Sequence, residues 1–314
     1  MLKSISNDII KEGVQIEKSN NFFFNSDDDL LSQKTNTSFY NKNPFPNYES
    51  DDDIAKLIDK NNNNDFSFSL INAINYKKKF NKKIKVLEVG CGTGQLSNLI
   101  SKLSDVEYYA TDVTENSLKI ASNFAINNNI ENINFYLMDI FNSFFKENSF
   151  DIIISNGVLH HTEDPYLAFK NCTKLLKPEG IMLIGLYNKI GRLKNSIIKY
   201  IYKITKLKMV FNFDFVYRNI KNKSKKRAWL MDQYFHPQEE RFTYADLYNW
   251  YIKNNIKPIR FIPDLRDESI RFDNIFHKSN EFTNVSNFLN EIDMFFFNKE
   301  GGLFILVGSK TKNE

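Results

Sequence analysis

The chain has 314 residues, enough for one large domain or for one domain plus a cap. Its 42 Lys and Arg against 38 Asp and Glu leave a net charge of only +4, too balanced to argue for nucleic-acid binding as a property of the whole protein. Two cysteines, Cys91 and Cys172, supply neither a disulfide framework nor metal-ligand spacing, so no metal is expected. No run approaches the ~20 apolar residues of a membrane helix, and residues 1–8 lack a signal-peptide core, so a cytoplasmic location is expected.

Residues 1–80 hold acidic runs (Asp27 to Asp29, Asp51 to Asp53) and an Asn run (Asn61 to Asn64), which read as loops. Between them, residues 38–48 interleave aromatics with Pro44 and Pro46, a rigid segment that docks on the core or forms a lid over a ligand. A helix is expected over 66–80. From Lys83 strands alternate with helices: strands at 86–89, 106–111, 133–138, 150–155 and 181–186, helices opened by Thr114 and Pro165, and a turn at 177–180. The run Phe-Asp-Ile-Ile-Ile-Ser at 150–155 is apolar throughout, as a parallel strand buried on both faces requires. The alternation predicts an α/β fold with a doubly wound, mostly parallel sheet and helices on both faces. After Tyr187 the pattern changes. Residues 188–227 are basic, with Ile197, Tyr200, Ile201, Ile204 and Leu207 on one helical face and lysines interleaved. A capped helix from Thr243, a strand at 258–262 and a strand at 302–308 close the chain. The expected division is an N-terminal lid (1–80), a nucleotide-type core (81–187), a basic and aromatic cap insertion (188–242), and the end of the core (243–314) interrupted by a second insertion (263–300).

The stretch from Val86 to Gly94, Val-Leu-Glu-Val-Gly-Cys-Gly-Thr-Gly, carries the ligand signal. A strand breaks into alternating glycines, and Leu96, Leu99, Ile100 and Leu103 then recur at helical spacing. That recipe brings backbone N–H groups to a ligand at a helix N-terminus. Gly90, Gly92 and Gly94 make G-x-G-x-G rather than the dinucleotide fingerprint, and no P-loop Lys follows. Glu88 would repel a pyrophosphate but suits a ligand carrying an amino group. The stretch resembles motif I of the class I S-adenosylmethionine (SAM) dependent methyltransferases. Downstream, Asn156-Gly157-Val158-Leu159-His160-His161 resembles motif IV of small-molecule and quinone-type methyltransferases and of some tRNA-modifying ones. The run from Lys174 to Gly180 resembles the family's L-K-P-G-G turn, with Glu179 where glycine is usual.

The resemblance implies a Rossmann-like sheet of seven strands and SAM as cofactor. It implies that Glu88 orients the methionine amino group, that Gly90, Cys91, Gly92 and Gly94 form the cradle, and that Asp112 accepts from the ribose hydroxyls. It also implies that Asp139 meets the adenine amino group with Val113 and Ile140 beside the ring, and that Asn156 faces the methionine moiety. Brändén's rule for ligands at strand carboxyl ends agrees with these positions. His160 and His161 are the adjacent pair able to titrate near neutrality, and one could act as general base. Tyr40 in the lid, Tyr187 after the fifth strand, and Tyr234 and His236 in a polar loop are the candidate substrate contacts, whereas Trp229 reads as core. The expected function is methyl transfer to an oxygen, nitrogen or carbon of a small, apolar or lipid-like acceptor. An RNA acceptor held by the basic segment 189–227 is the second reading, peripheral membrane contact by that segment a third, and a non-catalytic SAM-binding protein a fourth.

Overall fold

The computed structural model describes residues 7–19, 21–26, 34–46, 48, 52–61, 65–81, 83–263, 283–297 and 301–312. The acidic run at 27–29, residues 62–64 of the Asn run and residues 264–282 of the second insertion lie outside the described residues. A hairpin, β1 (Ile16–Ser19) and β2 (Phe22–Asn25), opens the fold. Helices α1 (Lys34–Lys42), α2 (Ile54–Asn61) and α3 (Asp65–Lys78) follow. The core then alternates β3 (Lys85–Val89), α4 (Gln95–Leu103), β4 (Glu107–Asp112), α5 (Glu115–Asn127), β5 (Ile133–Leu137), β6 (Phe150–Asn156), α6 (Pro165–Leu175) and β7 (Leu176–Tyr187). The cap contributes α7 (Leu193–Thr205), α8 (Phe215–Asn219) and α9 (Lys223–Phe235), and the chain ends with α10 (Tyr244–Lys253), β8 (Ile256–Ile262), α11 (Asn284–Phe297) and β9 (Leu303–Lys310).

One sheet runs in the order β1-β2-β5-β4-β3-β6-β7-β9-β8. Strands β5, β4, β3, β6 and β7 are parallel, and β9 is antiparallel to both β7 and β8. Side chains alternate between the two faces. Ile153 and Leu87 point into one core with Phe169, Tyr244, Leu247 and Met294. Ile152, Ile154 and Val86 point into the other with Leu70, Ile74, Ile100 and Leu118. Helices α3, α4 and α5 therefore cover one face and α6, α10 and α11 the other, the doubly wound arrangement. The sheet has nine strands, not seven. The two extra strands are the N-terminal hairpin, whose β2 pairs parallel with β5 through Phe23–Tyr136 and Phe24–Leu137. Phe22 and Phe23 are buried there, and the hairpin covers what would be an exposed edge of β5. Four-residue strands joined at Asn21, which adopts φ 70°, leave too short a periodic pattern to be seen in the sequence.

Three further boundaries differ from expectation. The Lys177-Pro178-Glu179-Gly180 stretch is not a turn outside the sheet but an irregularity within β7, with Glu179 at φ 60°. Asp232 to Phe235 form the last turn of α9, not a loop. The second insertion contains α11, whose Met294 is buried and whose Glu291 accepts a hydrogen bond from the Tyr244 N–H at 3.0 Å, so this helix belongs to the core layer. No helix among the described residues is long and apolar enough to cross a membrane.

Helix α10 starts with a full capping box: the Thr243 hydroxyl accepts from the Asp246 N–H at 3.0 Å, and the Asp246 carboxylate accepts from the Thr243 N–H at 2.8 Å. Thr243→Ala is expected to lower unfolding free energy by about 1 kcal/mol in urea titration, because it orphans a helix N–H on the helix that packs against β8 and β9.

Candidate active site

The site begins where β3 ends. Gly90 has φ +77° and Gly92 φ +52°. A Cβ on Gly90 would lie 2.4 Å from Val158 Cγ1, and one on Gly92 would lie 2.2 Å from the carbonyl oxygen of Phe45. Both positions thus demand glycine twice over, for backbone sign and for space. The loop is held from below by β4. The N–H groups of Gly90 and Cys91 both donate to the Thr111 carbonyl at 2.8 Å. Asp112 holds it from the side: one carboxylate oxygen accepts the Gly92 N–H at 2.8 Å, and the other accepts the Thr114 N–H at 2.9 Å and hydroxyl at 2.6 Å. One acid therefore joins the glycine loop to the N-terminus of α5. Its burial pushes the carboxyl pKa up, and these hydrogen bonds pull against that shift.

A cavity of about 540 Å³ opens above the carboxyl ends of β3, β4, β5 and β6. Of the cofactor candidates, Glu88, Gly90, Cys91, Gly92, Asp112, Val113, Asp139, Ile140 and Asn156 all line it. Gly94 does not; it sits at the N-cap of α4 in the left-handed conformation. At one end Val113, Met138 and Ile140 present apolar side chains beside Asp139, whose carboxylate accepts the Phe141 N–H at 3.0 Å. In the middle lies Glu88, 5% exposed. The Tyr108 hydroxyl donates to it at 3.0 Å. Burial raises its pKa from an ordinary 4.5 to about 8, while the Tyr108 and Ser97 hydroxyls pull it down and Asp112 pushes it further up. Asn156 Oδ1 is buried with no hydrogen-bond partner among the described residues.

The other end is built from the N-terminal segment and the cap. Tyr40 of α1 donates to one Asp232 oxygen at 2.8 Å, and Tyr187 at the end of β7 donates to the other at 3.2 Å. Gln233 Nε2 also donates to Asp232, at 3.0 Å. Burial raises the Asp232 pKa against these hydrogen bonds. Arg192 lies 4.0 Å from the Tyr187 ring centroid and is buried in a pair with Glu239. His161 lines the cavity. Its Nδ1 lies 2.7 Å from the Gln238 carbonyl, which only a protonated Nδ1 can satisfy, so Nε2 carries the lone pair; Nε2 is buried without a partner. Burial pushes its pKa down to about 4, against the pull of the Gln238 carbonyl and Glu239. Its ring packs on His160 at 4.2 Å and on His236 at 3.8 Å.

The other three candidates sit differently. His160 lies behind His161, its Nδ1 accepting the Tyr187 N–H at 3.3 Å. His236 contacts Phe39 and Tyr40 and lines a smaller polar cavity of about 170 Å³, not the main one. Tyr234 turns away: its hydroxyl donates to Asp214 at 2.9 Å and its ring packs on Phe211 in the cap. Trp229 is not core. It lines the cavity, with its indole N–H donating to Asp214 at 2.9 Å. The site residues that sequence reasoning missed are Asp232, Gln233, Trp229 and Asn36. The first three recur at i, i+3 and i+4 on one face of α9, a signal that becomes readable once the stretch is assigned to a helix.

A family model described as the methyltransferase domain matches residues 80–244, just over half of the chain. The chain belongs to this family. A ubiquinone biosynthesis O-methyltransferase from Coxiella burnetii is 33% identical over 127 residues, 40% of this chain and 51% of that protein. A malonyl-[acyl-carrier protein] O-methyltransferase from Bacillus anthracis is 31% identical over 125 residues, 38% and 44% of the two chains. The chain thus spans about half the length of the curated relatives it matches. Among solved structures, PKMT2 from Rickettsia typhi superposes with a TM-score of 0.52 at 16% identity, covering 79% of this chain and 54% of that one, and shares the fold. SAM is the cofactor of this methyltransferase fold, and the residues present fit it. The buried acid Glu88 suits a ligand ammonium, and the orphaned Asn156 Oδ1 calls for a donor.

Two outcomes follow from this geometry. Gly92→Ala is expected to abolish measurable S-adenosylhomocysteine binding by calorimetry, because the chain at Phe45 must shift to admit the methyl. The Glu88 shift carries a sign: between pH 4.5 and 8 the folded free protein keeps a proton that the unfolded chain releases, so the site loses stability as pH rises. A ligand ammonium reverses this. S-adenosylhomocysteine affinity should rise between pH 6 and 7.5, below the ~8 at which an α-amino group titrates, with net proton release in calorimetry; Glu88→Gln should bind more weakly and flatten the dependence.

Proposed function

We propose that the protein transfers the methyl group of SAM to a small neutral or cationic acceptor through a hydroxyl or amine. The observation that carries this is a single cavity with two chemically different ends. One end offers acids and apolar walls suited to a nucleoside and an amino acid: Asp112 for ribose hydroxyls, Asp139 with Val113 and Ile140 for adenine, Glu88 and Asn156 for the methionine moiety. The other end offers Tyr40, Tyr187, Asp232, Gln233, His161 and Trp229 to an acceptor. We read residues 81–187 as the SAM-binding unit, with residues 1–80 and 188–242 supplying the acceptor end.

Bound there, SAM would supply an electrophilic methyl group on a cationic sulfonium. The chain's own residues must then position a nucleophile in line, exclude water and take its proton. Tyr40, Tyr187 and Gln233 fix Asp232 from three directions, so that acid is pre-set to orient a hydroxyl or amine. His161 is held in the tautomer that leaves Nε2 free, and burial keeps it neutral. Either group can accept a proton at neutral pH. The relatives' names specify different acceptors, so they do not choose among them. The buried carboxyl of Asp232 does: it disfavours an acceptor whose carboxylate or phosphate must sit beside it. The aromatic walls of Tyr40, Phe45 and Trp229 favour a partly apolar molecule.

Transfer of labelled methyl from SAM to a panel of phenols, alcohols and amines, against dicarboxylates and phosphate esters, tests this. Methylation confined to the anionic acceptors would overturn it. With an accepted substrate, His161→Ala or Asp232→Asn should lower kcat by about 10²-fold with S-adenosylhomocysteine affinity little changed; full turnover in both would remove the base from the reading. A His161 pKa near 4 also predicts a kcat that stays flat from pH 7 down to pH 5.5, where an ordinary histidine would lose about tenfold by protonation.

A further inference from the structure

The cap helix α7 is apolar on two sides. Its inner side, Ile198 and Tyr202, packs with Val210, Phe211 and Tyr234 in a small core that closes the cap on itself. Its outer side carries Leu193, Ile197, Ile201 and Ile204 at helical spacing, exposed by 44%, 54%, 39% and 64%. Tyr200 beside them is 64% exposed, and the stripe runs on through Leu207, Met209, Phe213 and Phe215, all more than half exposed. The cap's own core does not use these side chains. A helix that only had to be solvated would carry polar residues there.

The charge around the stripe is of one sign. Between Lys189 and Arg227 there are thirteen Lys and Arg and a single acid, Asp214. Asp214 is turned inward to Trp229 and Tyr234. Lys199, Lys203, Lys206 and Lys208 are exposed along the stripe. Contiguous exposed aliphatics ringed by lysines need a surface that is anionic and apolar at once. A second copy of this face would bring lysines against lysines, and nucleic-acid phosphates would leave the isoleucines uncovered. The patch also reaches the site: Phe215 is exposed on α8 while its neighbour Val216 lines the cavity, as does Trp229 of α9.

We propose that the outer face of α7, continued to Phe215, docks the protein onto an anionic lipid bilayer. The aliphatic stripe lies among the acyl chains and headgroups, and the lysines meet the lipid phosphates. This placement sets the cavity wall at Val216 beside the membrane surface, whatever the acceptor proves to be.

Flotation of the full chain with phosphatidylcholine vesicles containing phosphatidylglycerol, against pure phosphatidylcholine vesicles, tests the proposal. Binding to the anionic vesicles is expected, weakened at high salt. Lys199→Gln with Lys203→Gln should weaken it about 30-fold, from roughly a fivefold loss per lysine. Ile197→Ser with Ile204→Ser should weaken it at least tenfold without changing its salt dependence. Both variants alter exposed residues outside the cavity, so S-adenosylhomocysteine affinity should stay as in the parent and report an intact fold. No binding to anionic vesicles, or binding that neither variant changes, overturns the proposal. So does a concentration-dependent dimer that Ile197→Ser with Ile204→Ser abolishes, or salt-sensitive RNA binding lost in the lysine variant without any vesicle binding. Failure of methyl transfer would not touch this inference, and failure of docking would not touch the reading of the cavity.

Discussion

The carboxylate of Asp112 is the constraint on which the site depends. It spends its two oxygens on three donors, the Gly92 N–H, the Thr114 N–H and the Thr114 hydroxyl. Together they tie the glycine loop and the N-cap of α5 to the end of β4. Without it the glycine loop and the N-terminus of α5 would have no shared anchor, and the cavity floor would lose its shape. The acid is half-buried, and these donors compensate for the hydration it has lost. The N-terminal segment depends on the same loop. The chain at Phe45 runs so close above Gly92 that no side chain fits between them, and the Thr93 hydroxyl donates to the Pro46 carbonyl. The N-terminal segment is therefore a wall of the site, not a tail.

Burial does more than exclude water here; it sets protonation states in opposite directions. Carboxyls rise, as at Glu88 and Asp232, and imidazoles fall, as at His160, His161 and His236. The common cause is the cost of charge away from solvent. At neutral pH Glu88 holds a proton and the histidines are uncharged, so this part of the site is open to a cationic ligand. That suits a cofactor whose amino group and sulfonium are both positive. Arg192 and Glu239 are the exceptions that keep their charge, since they pair with each other, the Gln233 side chain and carbonyl and the Gly301 carbonyl accept from Arg192, and the Tyr187 ring lies under it.

The sequence reading was strongest where backbone geometry restricts the alphabet. Alternating glycines, an acid at a strand end and an unbroken Ile-Ile-Ile run each have few physical explanations, so the core from Lys85 to Tyr187 was legible as alternating strands and helices. Short elements were not. The β1–β2 hairpin has eight strand residues, too few for periodicity, and its role of covering β5 is a tertiary fact. The acceptor end was half legible for a different reason. Residues 232–241 drew notice as polar and aromatic, but with the stretch taken as a loop the choice fell on Tyr234 and His236, and nothing marked Asp232 and Gln233. As the last turn of α9, it has a direction: Asp232 and Gln233 face the cavity with Trp229, while Tyr234 faces the cap core. Which way a side chain points follows from the element, and the element depended on where the helix ended.

The cap explains why two kinds of polarity coexist in one segment. Toward the core, it presents Trp229, Asp232 and Gln233, which complete the acceptor end with Tyr40 and Tyr187. Within itself, Asp214 caps α8 and receives the Trp229 indole and the Tyr234 hydroxyl, so one acid holds α8, α9 and the cap core in register. Outward, nothing in that register needs an isoleucine or a leucine. A segment whose inner positions are specified this tightly would be free to vary outward toward polar residues at little cost. That its outer face instead carries aliphatics at helical spacing is not accounted for by the inner packing, and docking on an anionic bilayer is the explanation proposed for them.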